Sequence, residues 1–259
     1  LYLTSPDSEK SIPDFINIKT LPACISTNNY INKNLDLLKS ELPLVVSADI
    51  QTGGKGRDGR KWLPVGDGGI YISYLLKIKN IESLSFLSLA AGTAIAEAIT
   101  TVTGLNVQLK WPNDIEFSGS KVGGVLIENK LFSNNMLTVI GIGLNVNATR
   151  NQLAEEILKT ATSLSIISGK KTSIKELILK ISEYLLYLIE AMEDKMYESI
   201  LKRYLSYMKH KTGDEISFHN SGKTIRGTFI KINEKGGLVL KHINGREESF
   251  FSGEVFPIL

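Results

Sequence analysis

The sequence predicts an α+β fold: a mixed, mostly antiparallel sheet packed with helices, followed by a small closed β-barrel. Three observations carry that expectation. A helical stretch, Ser83–Thr103, precedes four short apolar runs joined by polar turns, which reads as an antiparallel meander. Helical periodicity then returns through 174–208. Past Lys211 only strand-like runs remain, five of them between 212 and 259, a density that points to a barrel. The expected division is a linker or arm at 1–14, a larger unit at 15–211 and the barrel at 212–259.

Phe15–Ile18 reads as a strand, and the polar Ser26-Thr27-Asn28-Asn29 as the entry to a helix carrying Tyr30, Ile31, Leu35 and Leu38. Pro43 ends that helix, and strands are expected at 44–50 and 70–76. In Ser83–Thr103 the apolar residues fall at helical spacing, and Gly104 stands where a left-handed helix end belongs. Strands follow at 105–110, 114–117, 121–129 and 136–146, with a turn at Ser133-Asn134-Asn135. Leu153–Leu158, Ile174–Met192 and Lys195–Met208 read as helices. The last strands are expected at Glu215–Phe218, Thr224–Ile232, Gly237–Lys241, Glu247–Phe251 and Val255–Leu259, around turns such as Asn220-Ser221-Gly222 and Asn244-Gly245.

With 259 residues, 42% of them hydrophobic, the chain can bury a real core. Its net charge of +3 is mild and locally clustered, which argues against a dedicated nucleic-acid binder but suits an anionic small substrate. A single cysteine, Cys24, excludes an internal disulfide framework and fits a reducing, cytoplasmic setting. No signal-peptide pattern opens the sequence, and no apolar run is read as a bilayer span.

Gln51–Trp62 carries four glycines and four cations in twelve residues. Such a stretch reads as neither helix nor packed strand, and it can present backbone N–H groups and cations together to an anion. Gly54-Lys55-Gly56-Arg57-Asp58-Gly59 fits G-x-G-x-x-G literally, but Pro64 forbids the helix a dinucleotide fold needs, and no Gly-Lys-Ser/Thr makes a Walker loop. A solvated loop is the plainer alternative; Trp62 beside it favours a ligand loop. Lys110-Trp111-Pro112-Asn113-Asp114 sets a cation, a ring and a carboxylate around one turn, or is an ordinary hairpin with a buried tryptophan. Glycines inside the strands at Lys121-Val122-Gly123-Gly124 and Gly141-Ile142-Gly143-Leu144-Asn145 mark close approach of a ligand or of backbone. Asn145 equally caps a turn. The three histidines all lie at 210 or later, so histidine-based covalent catalysis and a zinc site are not expected. Lysines, arginines and one aspartate instead suit phosphoryl or nucleotidyl transfer.

Together with Ser26-Thr27-Asn28, these motifs in this order resemble the biotin protein ligases over about residues 15–259. That resemblance implies a biotin/lipoyl ligase-like domain and an SH3-like barrel. It also implies a reaction in which biotin and ATP give biotinyl-5′-AMP, whose acyl group passes to a lysine of the biotin carboxyl carrier protein. Catalysis would rest on Lys121, Arg57 and Asp114. Biotin would meet Ser26, Thr27, Asn28, Gln51, Gly54, Lys55, Arg57, Lys121, Gly124 and Gly143. ATP and the adenylate would meet Arg57, Arg60, Trp62, Lys110, Asn113, Lys121 and Asn145, with Trp62 stacking on adenine, Asn145 reading its edge and Asp114 organising Mg²⁺. Lys55 and Asp58 stand where the best-known members carry arginine, which keeps a positive loop but loses a bidentate fork. Homodimerisation through a sheet edge is common in the family. A lipoate ligase is the nearest rival. A biotin-responsive repressor is the other alternative, should a DNA-binding segment precede Leu1.

Overall fold

The computed structural model describes residues 17–132, 135–220 and 222–257. The arm at 1–14, Phe15 and Ile16, the turn residues Ser133 and Asn134, Ser221, and Ile258 and Leu259 of the last expected strand lie outside the described residues.

The chain enters through β1 (Asn17–Cys24), turns into α1 (Thr27–Lys33) and α2 (Leu35–Leu38), and returns as β2 (Leu44–Gln51), parallel to β1. Ser26 starts α1 as the sequence predicts: its backbone is extended and its Oγ accepts from the Asn29 N–H at 3.4 Å. The glycine-rich stretch is a miniature hairpin, with β3 (Gly54–Lys55) paired to β4 (Lys61–Trp62) around a tight Arg57–Gly59 turn. The turn places Asp58 and Gly59 in the left-handed region, at φ 55° and 75°, which Asp and Gly tolerate better than most residues. This corrects the expectation of a stretch without strand pairing.

The meander follows as β5 (Gly69–Ile78), α3 (Leu87–Thr103), β6 (Gln108–Lys110), β7 (Asp114–Phe117), β8 (Ser120–Phe132) and β9 (Asn135–Asn145). The sheet runs β1-β2-β5-β9-β8-β7-β6, antiparallel everywhere except β1–β2. Ser83–Phe86, read as helix, lie in the 3₁₀ segment that precedes α3. Gly104, at φ 73°, ends α3 with its N–H on the Thr100 carbonyl. Ala90, Ala94 and Ala98 of α3 are fully buried. Ser83–Thr103 is long and apolar enough to cross a bilayer, contrary to the sequence reading, yet two thirds of its apolar window is covered by the rest of the fold.

Beyond β9 come two separate 3₁₀ turns, Arg150–Gln152 and Glu155–Ile157, and only the second lies within the expected helix Leu153–Leu158. Thr149 and Gln152 close a reciprocal cap on the first, and the extended Leu153 and Ala154 stop it from joining the second. The short α4 (Leu164–Ser168), which the sequence reading lacked, precedes α5 (Ile174–Glu193) and α6 (Tyr197–Tyr207). The last strands are β10 (Glu215–Asn220), β11 (Lys223–Ile232), β12 (Leu238–His242), β13 (Glu247–Phe250) and β14 (Glu254–Pro257). They form one antiparallel sheet in the order β13-β12-β11-β10-β14. This small sheet fits the SH3-like domain expected here, although no ladder joins β13 to β14 among the described residues and the pairing alone does not close a barrel.

One apolar core runs from α3, α5 and the meander into this second sheet and includes Trp111, Ile216, Phe218 and Phe229. The Trp111 indole N–H donates to the Gly236 carbonyl at 3.3 Å, and its ring lies 6.1 Å from that of Phe218. Gly236, at φ 79°, also packs closely on the start of α3 and the segment before it, where a Cβ would press on the Ser85 carbonyl and Leu89.

Candidate active site

The hairpin, the 110–114 turn, the start of β8, the middle of β9 and the start of β14 enclose one cleft of about 860 Å³, counting space open to solvent. Its inner end is polar and buried. Ser26, Thr27 and Asn28 arrive from the entry to α1 and Gln51 from the end of β2, all under 8% exposed. The parallel β1–β2 pair sets Cys24 opposite Gln51, which brings these two segments together. The Gln51 Oε1 accepts the Thr27 backbone N–H at 3.0 Å. Ser73, a polar residue inside the apolar β5, has its Oγ 2.6 Å from both the Thr27 hydroxyl and the side-chain Oδ1 of Asn28. The Asn28 amide donates to Glu128 at 2.7 Å.

The outer end is cationic. Arg57, half-buried, donates to Asn113 Oδ1 and to the Gly253 carbonyl, each at 3.1 Å. Asn113 is itself held by its side-chain amide on the Val125 carbonyl at 2.9 Å. The Lys121 ammonium sits 2.5 Å from Asp114 Oδ1 and 5.8 Å from the centre of the Trp62 ring. Backbone bonds to Thr160 and Thr162 fix Lys121 from its other side. Lys110 stands 3.7 Å from Glu116 and 4.9 Å from the Phe256 ring centre. Arg60 grips Glu254 through both nitrogens of its fork. Burial works to raise the Glu254 carboxyl, but the Arg60 hydrogen bond and charge, with Lys110 and Lys121 behind them, hold it below the usual carboxylate range.

The fold thus gathers the residues expected of a site. The Ser26-Thr27-Asn28 trio, Gln51, Lys55, Arg57, Arg60, Trp62, Lys110, Asn113, Asp114, Lys121, Gly124 and Gly143 share the cleft. Gly54 and Asn145 are outside its lining. Gly54 is required by packing, since a Cβ would fall 2.5 Å from the Gln51 amide and 2.8 Å from Trp62. Asn145 is buried just behind, donating to the Thr162 carbonyl at 3.1 Å while its Oδ1 has no partner among the described residues. The Trp62 indole N–H is likewise buried and unpartnered. The strand glycines do more than widen the cleft: a Cβ at Gly143 would strike the Trp62 ring at 2.8 Å, and one at Gly141 the Asn28 Oδ1 at 2.1 Å. No cluster of three metal-ligating side chains occurs among the described residues.

Sequence reasoning missed Glu254, Glu128 and Ser73. A serine in the apolar run Ile70–Leu76 was the available signal for Ser73; the two glutamates had none, because only the topology brings them here.

Residues 21–147 match the biotin/lipoate A/B protein ligase family. The bifunctional ligase/repressor BirA of Bacillus spizizenii is 32% identical over 207 residues, covering 78% of this chain and 62% of that protein. The chain therefore spans less than two thirds of that relative. A biotin–[acetyl-CoA-carboxylase] ligase of Mycobacterium tuberculosis is 34% identical over 126 residues, 47% of this chain and 44% of its own. Among solved structures, the biotin protein ligase of Aquifex aeolicus in complex with biotin and ATP is 32% identical, superposes with a TM-score of 0.78, and is covered to 97% by 93% of this chain.

Proposed function

We propose, for a chain that belongs to the biotin protein ligase family, that it activates biotin with ATP as biotinyl-5′-AMP and transfers the biotinyl group to a lysine of a biotin carboxyl carrier protein. The observation that carries this reading is the single cleft in which a buried hydrogen-bonding end leads directly to Arg57 and Lys121. Such a cleft suits an uncharged polar head group at the inner end and an anion at the outer one.

The chemistry has one obstacle that these residues meet. Two anionic groups at contact repel by about 1 kcal/mol in bulk water and about 4 kcal/mol at a partly buried site. Arg57 and Lys121 neutralise that repulsion while the biotin carboxylate oxygen bonds to the α-phosphorus and pyrophosphate leaves. Asp114, 2.5 Å from the Lys121 ammonium, keeps that ammonium aimed into the cleft until the anions displace it. The hairpin, tied down through Arg57 and Arg60, keeps water from the mixed anhydride. The carrier lysine then attacks the acyl carbon and AMP departs. The unpartnered Trp62 N–H and Asn145 Oδ1 lie beside the outer cleft and suit the polar edge of a base.

A magnesium ion fits this donor set as a companion of the nucleotide. Among the described residues no protein cage exists, and Mg²⁺ is commonly held by one or two carboxylates together with substrate phosphates. Asp114 would be the protein oxygen, and the ion would supply further neutralisation of phosphate charge.

Biotin-dependent release of pyrophosphate from ATP, followed by mass-spectrometric detection of a biotinyl group on a purified carrier domain, tests the assignment. Lipoate serves as the rival substrate. Pyrophosphate release with lipoate but not biotin would overturn it.

A further inference from the structure

We propose that Glu128 is a positioning residue that fixes the hydrogen-bond polarity of Thr27, so that Thr27 accepts from a ligand N–H and does not donate to the ligand. The inference rests on the biotin reading above and deepens it.

An ionised carboxylate only accepts hydrogen bonds. Glu128 Oε2 receives the Asn28 amide nitrogen at 2.7 Å and that of Asn32 at 3.1 Å. It makes no ion pair among the described residues. With its NH₂ turned to Glu128, Asn28 must present Oδ1 on the opposite side, and there it meets Ser73 Oγ at 2.6 Å. Ser73 has one hydroxyl hydrogen. Heavy-atom geometry alone lets Ser73 donate to either neighbour, at 2.6 Å each, but if it gave its hydrogen to Thr27 two oxygen acceptors, Ser73 Oγ and Asn28 Oδ1, would face each other; Ser73 therefore donates to Asn28 and takes the Thr27 hydroxyl hydrogen. The competing acceptor for that hydrogen, Gln51 Oε1, is 3.5 Å away and already takes the Thr27 backbone N–H. Thr27 thereby offers the cleft lone pairs alone. Ser73 is fully buried, and Thr27 and Asn28 are 3% and 4% exposed, so water competes little with this order. Gly141 exists to admit it, since any side chain there would collide with Asn28 Oδ1.

The relay selects for a cyclic urea, whose ring N–H can donate, over a cyclic carbamate with an ether oxygen in its place. The test is calorimetric binding of biotin and of its two carbamate analogues to the wild-type chain, Glu128→Ala, Glu128→Gln and Ser73→Ala. Wild type should prefer biotin about tenfold or more over the analogue altered at the N–H facing Thr27, the scale of one buried hydrogen bond. Glu128→Ala and Ser73→Ala should each reduce that ratio to about twofold. Glu128→Gln, which keeps an accepting oxygen, should fall between. Glu128→Ala on top of Ser73→Ala should change the ratio no further, as expected of a single relay. A ratio unchanged in Glu128→Ala, or equal weakening of biotin and both analogues, overturns the proposal. Should wild type bind no biotin, it is the ligase reading that fails. The relay is then read without ligand, from the Asn28 side-chain amide resonances, which should shift and exchange faster in Glu128→Ala. Identical resonances would overturn it.

Discussion

Arg60 and Glu254 meet fork to fork, so the glycine-rich hairpin is fastened to the first residue of the last strand, 194 positions further along the chain. With Arg57 on the neighbouring Gly253 carbonyl, this makes the second sheet a wall of the cleft.

Glu254→Ala should therefore loosen the hairpin without unfolding the protein. The Arg60 side chain is 57% exposed, so the pair contributes no more than about 1 kcal/mol to stability. Retention of the adenylate should shorten by about tenfold while biotin affinity changes little, because the inner end does not touch this pair. Trapped-intermediate decay, followed by filtration, measures it. The depressed Glu254 carboxyl gives the effect a sign with pH. Its contribution is complete above the ordinary carboxylate range and is lost as pH falls through its lowered folded value, so retention should weaken on acidification in wild type and not in Glu254→Ala.

Lys121→Ala and Arg57→Gly should separate two stages. Lys121→Ala removes the ammonium beside Asp114, and pyrophosphate release should fall by about a hundredfold or more. Arg57→Gly cuts the hairpin's ties to Asn113 and Gly253, so adenylate should form but escape and label bystander lysines. Full turnover in Lys121→Ala, or unchanged retention in Arg57→Gly, would count against these roles.

Gly143→Ala places a methyl 2.8 Å from the Trp62 ring and must tilt it. ATP affinity should drop by about tenfold while biotin affinity is spared, the scale of one displaced aromatic contact. Fluorescence reports the tilt, since of the chain's two tryptophans the methyl's nearest contacts all fall on Trp62.

His210 should make the fold acid-sensitive. Burial, helped by the nearby charge of Lys209 and opposed by Asp214, holds its imidazole below the ordinary value. The unfolded chain then takes the proton first, so stability is complete above about pH 6.5 and declines as pH falls toward the lowered folded value. Thermal midpoints of His210→Gln should fall less between pH 7.5 and 5.5 than those of wild type.

The hairpin, the 110–114 turn and the polar entry to α1 were legible in the sequence because each concentrates its chemistry within a few consecutive residues. Their meeting was not, since it depends on a parallel β1–β2 pair and on β9 lying between β5 and β8. Glu128 ends an apolar run like any surface residue, and Glu254 stands alone among weak strand signals. The same limit explains the false helix at Leu153–Leu158. Its apolar spacing is helical, but the backbone at its first two residues, Leu153 and Ala154, is not helical, and periodicity does not report backbone angles. Asn145, assigned by motif to the ligand surface, is buried beside the cleft and not in its lining, with an Oδ1 that has no partner among the described residues.

Trp111 belongs to the turn that carries Asn113 and Asp114, yet its indole hydrogen bond and its nearest aromatic neighbour come from the second sheet. A chimera that joined residues 17–211 to the corresponding tail of a distant relative would exchange the socket while keeping the plug. The tail and that turn are best treated as one heritable module, transplanted together, and differential scanning of the intact protein should register a single endotherm.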